Sequence, residues 1–194
     1  MRKRIANLTS NILNPYLVSL IMLLLLSFTS ASSILDALKW ALISVALSIL
    51  PVFLVTVYLV RSGRLDAVLT NLRSPRNKIY LFAGLCAIVA CVTLVYLGAP
   101  SILVAAFIAG LSTVVIFMCI NLWWKISLHT AIVAASATVL VILYGWIAAV
   151  TVVLVPLIAW ARIELKYHSP AQVVTGALLA ALIAVVVFYP LVLA

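Results

Sequence analysis

The chain has 194 residues, of which 68% are hydrophobic and only 8% charged, and its formal net charge is +9. A soluble domain of this size could not cover its surface with so few polar residues, so the composition excludes a water-soluble protein. Excess positive charge can indicate nucleic-acid binding. Here the basic residues lie between apolar stretches, which favours membrane lipids or a phosphorylated substrate as partners and no nucleic acid.

Apolar stretches long enough to cross about 30 Å of hydrocarbon follow one another along the chain. They are apolar on all sides and lack the alternation of a membrane strand, which predicts an all-α polytopic transmembrane bundle rather than a barrel. The whole chain, 1–194, then forms a single integral membrane domain. About seven spans are predicted, in chain order 15–31, 36–60, 79–97, 101–122, 127–144, 146–160 and 170–189.

The basic residues between these spans fall mainly on one side of the predicted bundle. Of the 12 Lys and Arg residues, all but Lys39 lie on the side that carries the N-terminus. The positive-inside rule predicts that this side faces the cytoplasm. The segments around 61–78, 123–129 and 161–170 are then cytoplasmic as well.

Both histidines of the chain, His129 and His168, fall on this same predicted face. Lys125 precedes His129 by four residues, and Arg162 precedes His168 by six. Arg and Lys can hold phosphate oxygens, and two imidazoles can divide into a nucleophile and a general acid. The alternative is that the histidines are interfacial residues and the cations snorkelling anchors. The His and acidic residues lack metal-ligand spacing, so neither a metal nor another cofactor is predicted.

In these segments the chain resembles the type 2 phosphatidic acid phosphatase superfamily of lipid phosphatases. The second motif of that superfamily is Ser-Gly-His at the start of a helix, and this chain has SLH at 127–129. The third motif is Ser-Arg, five residues, His, three residues and Asp. This chain has AR at 161–162, five residues to His168 and three to Gln172. The resemblance covers about 61–190 and is closest to a divergent, mainly prokaryotic branch.

The resemblance implies the fold of that superfamily and hydrolysis of a lipid phosphate or prenyl (di)phosphate. His168 would be the nucleophile that forms a phosphohistidine, and His129 the acid toward the leaving group. Arg162 and Ser127 would contact the phosphoryl oxygens. Lys125 is outside the minimal pattern, but its position favours a similar role. The implied location is the plasma membrane of a prokaryote, with the active site on the predicted cytoplasmic face.

The first motif of the superfamily, Lys, six residues and Arg-Pro, is degraded in this chain. Asp66 stands seven residues before Arg73, where lysine is expected, and Pro75 comes one residue late. Arg73, Arg76 and Lys78 could supply the missing positive charge to the phosphate, and the sequence does not distinguish among them.

A more important departure is Gln172, which replaces the carboxylate that orients the nucleophilic histidine. The sequence SPAQ at 169–172 also fits a helix capping box with proline at the first helical position. These interpretations are compatible, because a Gln oxygen can accept from an imidazole N–H without adding charge. Three hypotheses remain: a slow phosphatase, a phosphatase oriented by Glu164 or Asp66, and a catalytically weak phospholipid head-group binding or lipid-handling protein. Leu128 also replaces the motif glycine.

Overall fold

The computed structural model describes residues 1–65 and 73–193, without the side chains of 73–76 and 193. All regular secondary structure in these residues is helical, which confirms the predicted all-α class. The helices are α1 (Arg2–Ile12), α2 (Pro15–Ser30), α3 (Ile34–Leu47), α4 (Ile49–Arg61), α5 (Arg73–Tyr96), α6 (Ser101–Asn121), α7 (Leu128–Tyr144), α8 (Leu154–Glu164) and α9 (Pro170–Leu193), with a 3-10 segment, Gly145–Val153, between α7 and α8.

Several of these helices are compatible with an integral membrane protein. Five helical runs in the described ranges are long and apolar enough to cross a membrane, and a bent pair, α1 with α2, raises the number to six. The five runs are Ile34–Arg61, Asn77–Tyr96, Ser101–Asn121, Leu128–Glu164 and Pro170–Val192. The predicted number of about seven is not confirmed by this count. Much of the difference lies in Leu128–Glu164, which the sequence divides into two spans and which counts here as one of 37 residues.

The run from Leu128 to Glu164 reverses its direction. A straight helix of this length would measure about 55 Å, far more than the thickness of a hydrocarbon core. Gly145 ends α7 with a φ of 66°, a value in the region that favours glycine. Val133, near the start of α7, packs in one hydrophobic cluster with Ile158 and Ala161 of α8. Helix α8 therefore returns alongside α7 and brings the chain back to the end where α7 begins.

The helices form two compact groups. The first comprises Met1–Ser19 with Lys125–Ala194, and the second comprises Leu20–Trp124. In the first group α7 packs against α9, and α8 packs against α1, α7 and α9. In the second group α5 packs against α6, and α3 packs against α4 and α5. Both histidines, with Lys125, Ser127, Arg162 and Gln172, belong to the first group.

Helix α1 packs on α8 through a face of small residues. Ala6 is fully buried and lies in the same hydrophobic cluster as Ile158 and Ala161. Small side chains at such a contact let two helix backbones approach closely. The opposite face of α1 carries Ile5 and Leu8, which are 47% and 61% exposed. Helix α1 is therefore an integral part of the first group, whereas the sequence indicated only a basic segment before the first span.

Candidate active site

His129 lies in the first turn of α7, where the helix is capped by the preceding serine. Ser127 Oγ accepts a hydrogen bond from the backbone N–H of Thr130 at 3.5 Å, and the Ser127 carbonyl oxygen accepts one from Thr130 Oγ1 at 3.1 Å. Ser127 is fully buried and His129 is only 4% exposed. The imidazole of His129 is therefore held at the positively polarised end of the helix.

His168 immediately precedes the serine that caps α9. Ser169 Oγ accepts from the backbone N–H of Gln172 at 3.3 Å, and Gln172 Oε1 accepts from the backbone N–H of Ser169 at 3.2 Å. These reciprocal bonds confirm the predicted capping box, with Pro170 as the first helical residue. The side chain of Gln172 is thus fixed by the start of its own helix.

The same Gln172 oxygen lies 3.1 Å from Nδ1 of His168. Because this atom accepts from the backbone N–H of Ser169, it must be the amide oxygen, which has no hydrogen to donate. In the neutral ring, Nδ1 of His168 therefore carries the hydrogen and donates it, and Nε2 carries the lone pair. Gln172 thus caps the helix and orients the histidine, so the two interpretations of this residue hold together.

Helices α7 and α9 begin at the same end of the first group. The backbone N–H of Ser127 donates to the carbonyl oxygen of Gln172 at 3.4 Å. A Cβ added to Gly176 would lie 2.7 Å from the Ser127 carbonyl oxygen, so α9 contacts the loop before α7 at a point that only glycine allows. The start of α7 therefore lies beside the first two turns of α9, and each helix start carries a partial positive charge.

The two predicted cations of this group meet at Tyr167. Lys125 Nζ donates to the carbonyl oxygen of Tyr167 at 2.8 Å. The guanidinium of Arg162 lies over the Tyr167 ring, with Cζ 4.5 Å from the ring centroid. Arg162 is only 4% exposed, and its Nη1 donates to Ser10 Oγ at 2.9 Å. The structure thus brings Lys125 and Arg162 together, and it adds Ser10 from helix α1.

The turn between α8 and α9 places His168 next to the end of α8. The carbonyl oxygen of Arg162 accepts from the backbone N–H groups of Tyr167 and His168, at 3.1 and 3.3 Å. Lys166 has a φ of 57°, and it is the one residue other than glycine with a positive φ in the part of the chain that the structure describes. This conformation costs about 1–2 kcal/mol for a residue with a side chain, and it tightens the turn.

Lys78 and Glu164 are the other candidate residues whose side chains the structure describes. Lys78 is exposed on α5, in the second group. Arg73 and Arg76 belong to α5, but the structure does not describe their side chains. Asp66 lies outside the described residues. The carboxylate of Glu164, proposed as an alternative orienting group, lies 3.4 Å from a guanidinium nitrogen of Arg2. Gln172, rather than Glu164, therefore contacts the ring of His168.

Two residues of the site were missed by the sequence analysis. Ser10 lies 152 residues before Arg162, and no local pattern connects them. Gly176 had a signal, because a lone glycine in an apolar membrane helix often marks a close helix contact. Within residues 1–65 and 73–193, no three His, Cys, Asp or Glu side chains are grouped closely enough to hold a metal ion.

Comparisons of the chain with protein-family models, with curated proteins and with solved structures found no match in any of the three. The structure describes a helical protein, compatible with a membrane location, in which two buried histidines and a buried arginine lie at or near the turns that precede α7 and α9. Its function is therefore inferred from the chemistry of those residues.

Proposed function

We propose that the protein is a membrane phosphatase that removes phosphate from a lipid phosphate or a prenyl (di)phosphate through a phosphohistidine at His168. The observation that carries the proposal is the 3.1 Å contact between His168 Nδ1 and Gln172 Oε1. It leaves the lone pair of the neutral ring on Nε2, as a nucleophilic histidine needs. The motif spacing shared with the type 2 phosphatidic acid phosphatases supports the same role.

The reaction divides into two displacements. In the first, Nε2 of His168 attacks phosphorus, the ester P–O bond breaks, and the leaving oxygen takes a proton from the imidazolium of His129, whose charge the bound phosphoryl group stabilises. In the second, neutral His129 accepts a proton from water as the oxygen of that water attacks the phosphohistidine. The N–P bond breaks, inorganic phosphate leaves, and both histidines return to their starting states. No proton needs to leave Nδ1 of His168.

The charges around the histidines suit the phosphoryl group. Arg162 and Lys125 meet at Tyr167, and both are close in sequence to a histidine. The first turns of α7 and α9 add the partial positive charge of their backbone N–H groups. Ser127 has a hydroxyl hydrogen in addition to the lone pair that caps α7. These donors would stabilise negative charge on the equatorial oxygens in the transition state.

The neutral side chain of Gln172 limits the rate but preserves the correct tautomer. In the serine-protease template, an amide in place of the aspartate lowers kcat by about 10⁴-fold because the histidine adopts the wrong tautomer. Here the backbone N–H of Ser169 fixes the amide oxygen of Gln172, so His168 faces an acceptor. Unlike a carboxylate, however, the neutral amide of Gln172 does not stabilise the cationic form of the His168 ring. This difference favours a slow enzyme over an inactive one.

The membrane arrangement is part of the same proposal. If the run Leu128–Glu164 crosses twice and the bent pair α1–α2 crosses once, the chain crosses about seven times. The positive-inside rule then favours the cytoplasmic face for the site, and the resemblance implies a prokaryotic plasma membrane. The substrate would arrive laterally, with its tail between helices and its phosphate among the basic residues.

The test is phosphate release by the purified full-length protein in lipid nanodiscs, with phosphatidic acid, a prenyl phosphate and a prenyl diphosphate as substrates. We expect release from at least one of them, and a loss of at least about 1000-fold in His168→Ala. Tyr96→Ala, at a position 88% exposed in the second group, serves as the control and should keep its activity. Undiminished release by His168→Ala would contradict the mechanism.

A second candidate function is phospholipid head-group binding without turnover. The observation that favours it is that the neutral amide of Gln172 contacts Nδ1 of His168 at the position where the superfamily motif has a carboxylate. It predicts saturable binding of anionic phospholipid by a protein that releases no phosphate, and loss of that binding when Arg162 and Lys125 are both replaced by alanine. Detection by mass spectrometry of a phosphohistidine at position 168 would exclude this candidate.

A further inference from the structure

Helix α1 reaches the candidate site through its buried face. Ser10 is only 4% exposed, and one turn earlier Ala6 is fully buried against α8. At the start of the helix a guanidinium nitrogen of Arg2 lies 3.4 Å from a carboxylate oxygen of Glu164. The helix is therefore attached to the end of α8 at three levels along its length, and its position there is well defined.

The contact that matters chemically is the hydrogen bond from Arg162 Nη1 to Ser10 Oγ, 2.9 Å long and buried. The Cζ atom of the same guanidinium lies over the Tyr167 ring, 4.5 Å from the centroid. One contact is a directional hydrogen bond and the other is a cation–π contact. Together they hold in place a group whose hydrogen bonds depend on its planar geometry.

We propose that Ser10 is a positioning residue of the phosphate site, because its hydroxyl holds the guanidinium of Arg162 in the orientation that binds a phosphoryl oxygen. Helix α1 is then part of the site and not only an N-terminal anchor. For the substrate this inference rests on the proposed phosphatase function. The positioning itself applies to any phosphate that Arg162 binds.

Preorganisation gives this contact a measurable effect. A long side chain that is already held in its binding geometry loses less conformational freedom when the ligand arrives. Without the Ser10 hydroxyl, Arg162 loses one of the contacts that order it, so more of its ordering falls to the phosphate and the affinity for phosphate falls. A purely structural role of Ser10 predicts a lower thermal stability instead, with an unchanged Kd for phosphate.

The experiment measures the Kd of inorganic phosphate for the full-length protein in nanodiscs, and KM and kcat with the best lipid substrate. Ser10→Ala and Ser10→Val remove the hydroxyl, whereas Ser10→Thr keeps it in the same shape as valine. We expect Ala and Val to raise the phosphate Kd about tenfold and Thr to stay within about twofold. Ser27→Ala is the matched control, since Ser27 is fully buried in α2 and its hydroxyl bonds to the Leu23 carbonyl oxygen.

A double-mutant cycle decides whether Ser10 acts through Arg162. In an Arg162→Ala background, Ser10→Ala should change the phosphate Kd by less than about twofold. An equal effect in both backgrounds, or a wild-type Kd in both Ser10→Ala and Ser10→Val, would overturn the proposal. If Ser10→Ala does not fold, the phosphate Kd of Ser10→Thr compared with that of Ser10→Val tests the same point.

The outcome for Ser10 is separate from the outcome for the phosphatase proposal. If the wild-type protein binds phosphate but releases none from any lipid, the phosphatase proposal is wrong. The double-mutant cycle with Ser10 still tests the positioning role in that case. A protein that turns over lipid phosphate with an unchanged Kd and KM in Ser10→Val contradicts only the positioning role. A wild-type protein that binds no phosphate at all contradicts the positioning role as well.

Discussion

The starts of α7 and α9 use the same cap but hold their histidines in different ways. Each helix begins after a serine whose hydroxyl accepts a backbone N–H in the first turn, Ser127 at α7 and Ser169 at α9. His129 follows its cap and is buried inside the first turn, whereas His168 precedes its cap and is bonded to the side chain of Gln172. A side-chain partner fixes the tautomer of His168. The proposed mechanism gives the two histidines different tasks, so substitutions at each of them test this comparison.

The largest effect is expected from the histidines themselves. On an alkyl phosphate, His129→Ala should lower kcat by about 10²–10⁴-fold, the usual range for a general acid. On p-nitrophenyl phosphate, whose leaving group needs no proton, the loss should shrink to less than about tenfold. His168→Ala should be inactive on both substrates, because a good leaving group does not replace a nucleophile. Equal losses on both substrates for His129→Ala would show that His129 is not the acid toward the leaving group.

The next effect concerns the contact between Gln172 and His168. Gln172→Leu keeps the approximate volume but removes the acceptor, so kcat should fall by about 100-fold. Gln172→Glu keeps the capping box and adds a negative charge that stabilises the cationic ring, so kcat should rise above that of the wild type. Stopped assays of phosphate release measure both variants. A Gln172→Leu variant with wild-type kcat would show that the contact does not orient the nucleophile.

A smaller effect, on stability, comes from the contact that holds the two helix starts together. A methyl group at Gly176 collides with the Ser127 carbonyl oxygen, so Gly176→Ala should destabilise the protein by about 1–3 kcal/mol and lower phosphate release. Gly110→Ala in α6 is the matched control, since nothing lies within 4 Å of its added Cβ. It should stabilise by up to about 1 kcal/mol through helix propensity. Thermal unfolding in detergent measures both.

The smallest effect compares two N-caps. Ser127→Ala removes the cap of α7, and Ser33→Ala removes the cap of α3, where Ser33 Oγ accepts from the Asp36 backbone N–H at 3.1 Å. Each change should cost about 1 kcal/mol of stability. Only Ser127→Ala should also lower phosphate release, as measured by the same enzyme assay. Equal activities of the two variants would show that Ser127 has no role beyond its cap.

Local patterns in the sequence predicted the features that depend on neighbouring residues. The capping box at 169–172 and the helix start after Ser127 follow from residues within one turn, and both are present. The approach of Lys125 and Arg162 was expected from topology, and it depends on the return of α8 along α7. The position of Gly145, a single residue, was enough to indicate that the chain turns there.

Contacts between distant segments could not be predicted from these patterns. The bond between Ser10 and Arg162 depends on where α1 packs. In sequence, α1 is similar to many surface helices that have a small buried face. The basic residues at the start of α1 indicate membrane topology. They do not indicate that this helix packs against α8. The number of spans was uncertain for a related reason: the segment Gly145–Val153 contains no charged residue that would separate one crossing from the next.

Gln172 caps α9 and also contacts the ring of His168, and these two roles place different demands on its side chain. At the start of α3 the equivalent position after the cap is Asp36, whose carboxylate accepts from Ser33 Oγ and pairs with Lys39 at 3.0 Å. Asp36 thus bonds the hydroxyl of its cap, whereas Gln172 bonds the backbone N–H of its cap. Glutamine and glutamate can both complete a capping box at this position. The charge beside the His168 ring can therefore change by one substitution without loss of the cap that starts α9.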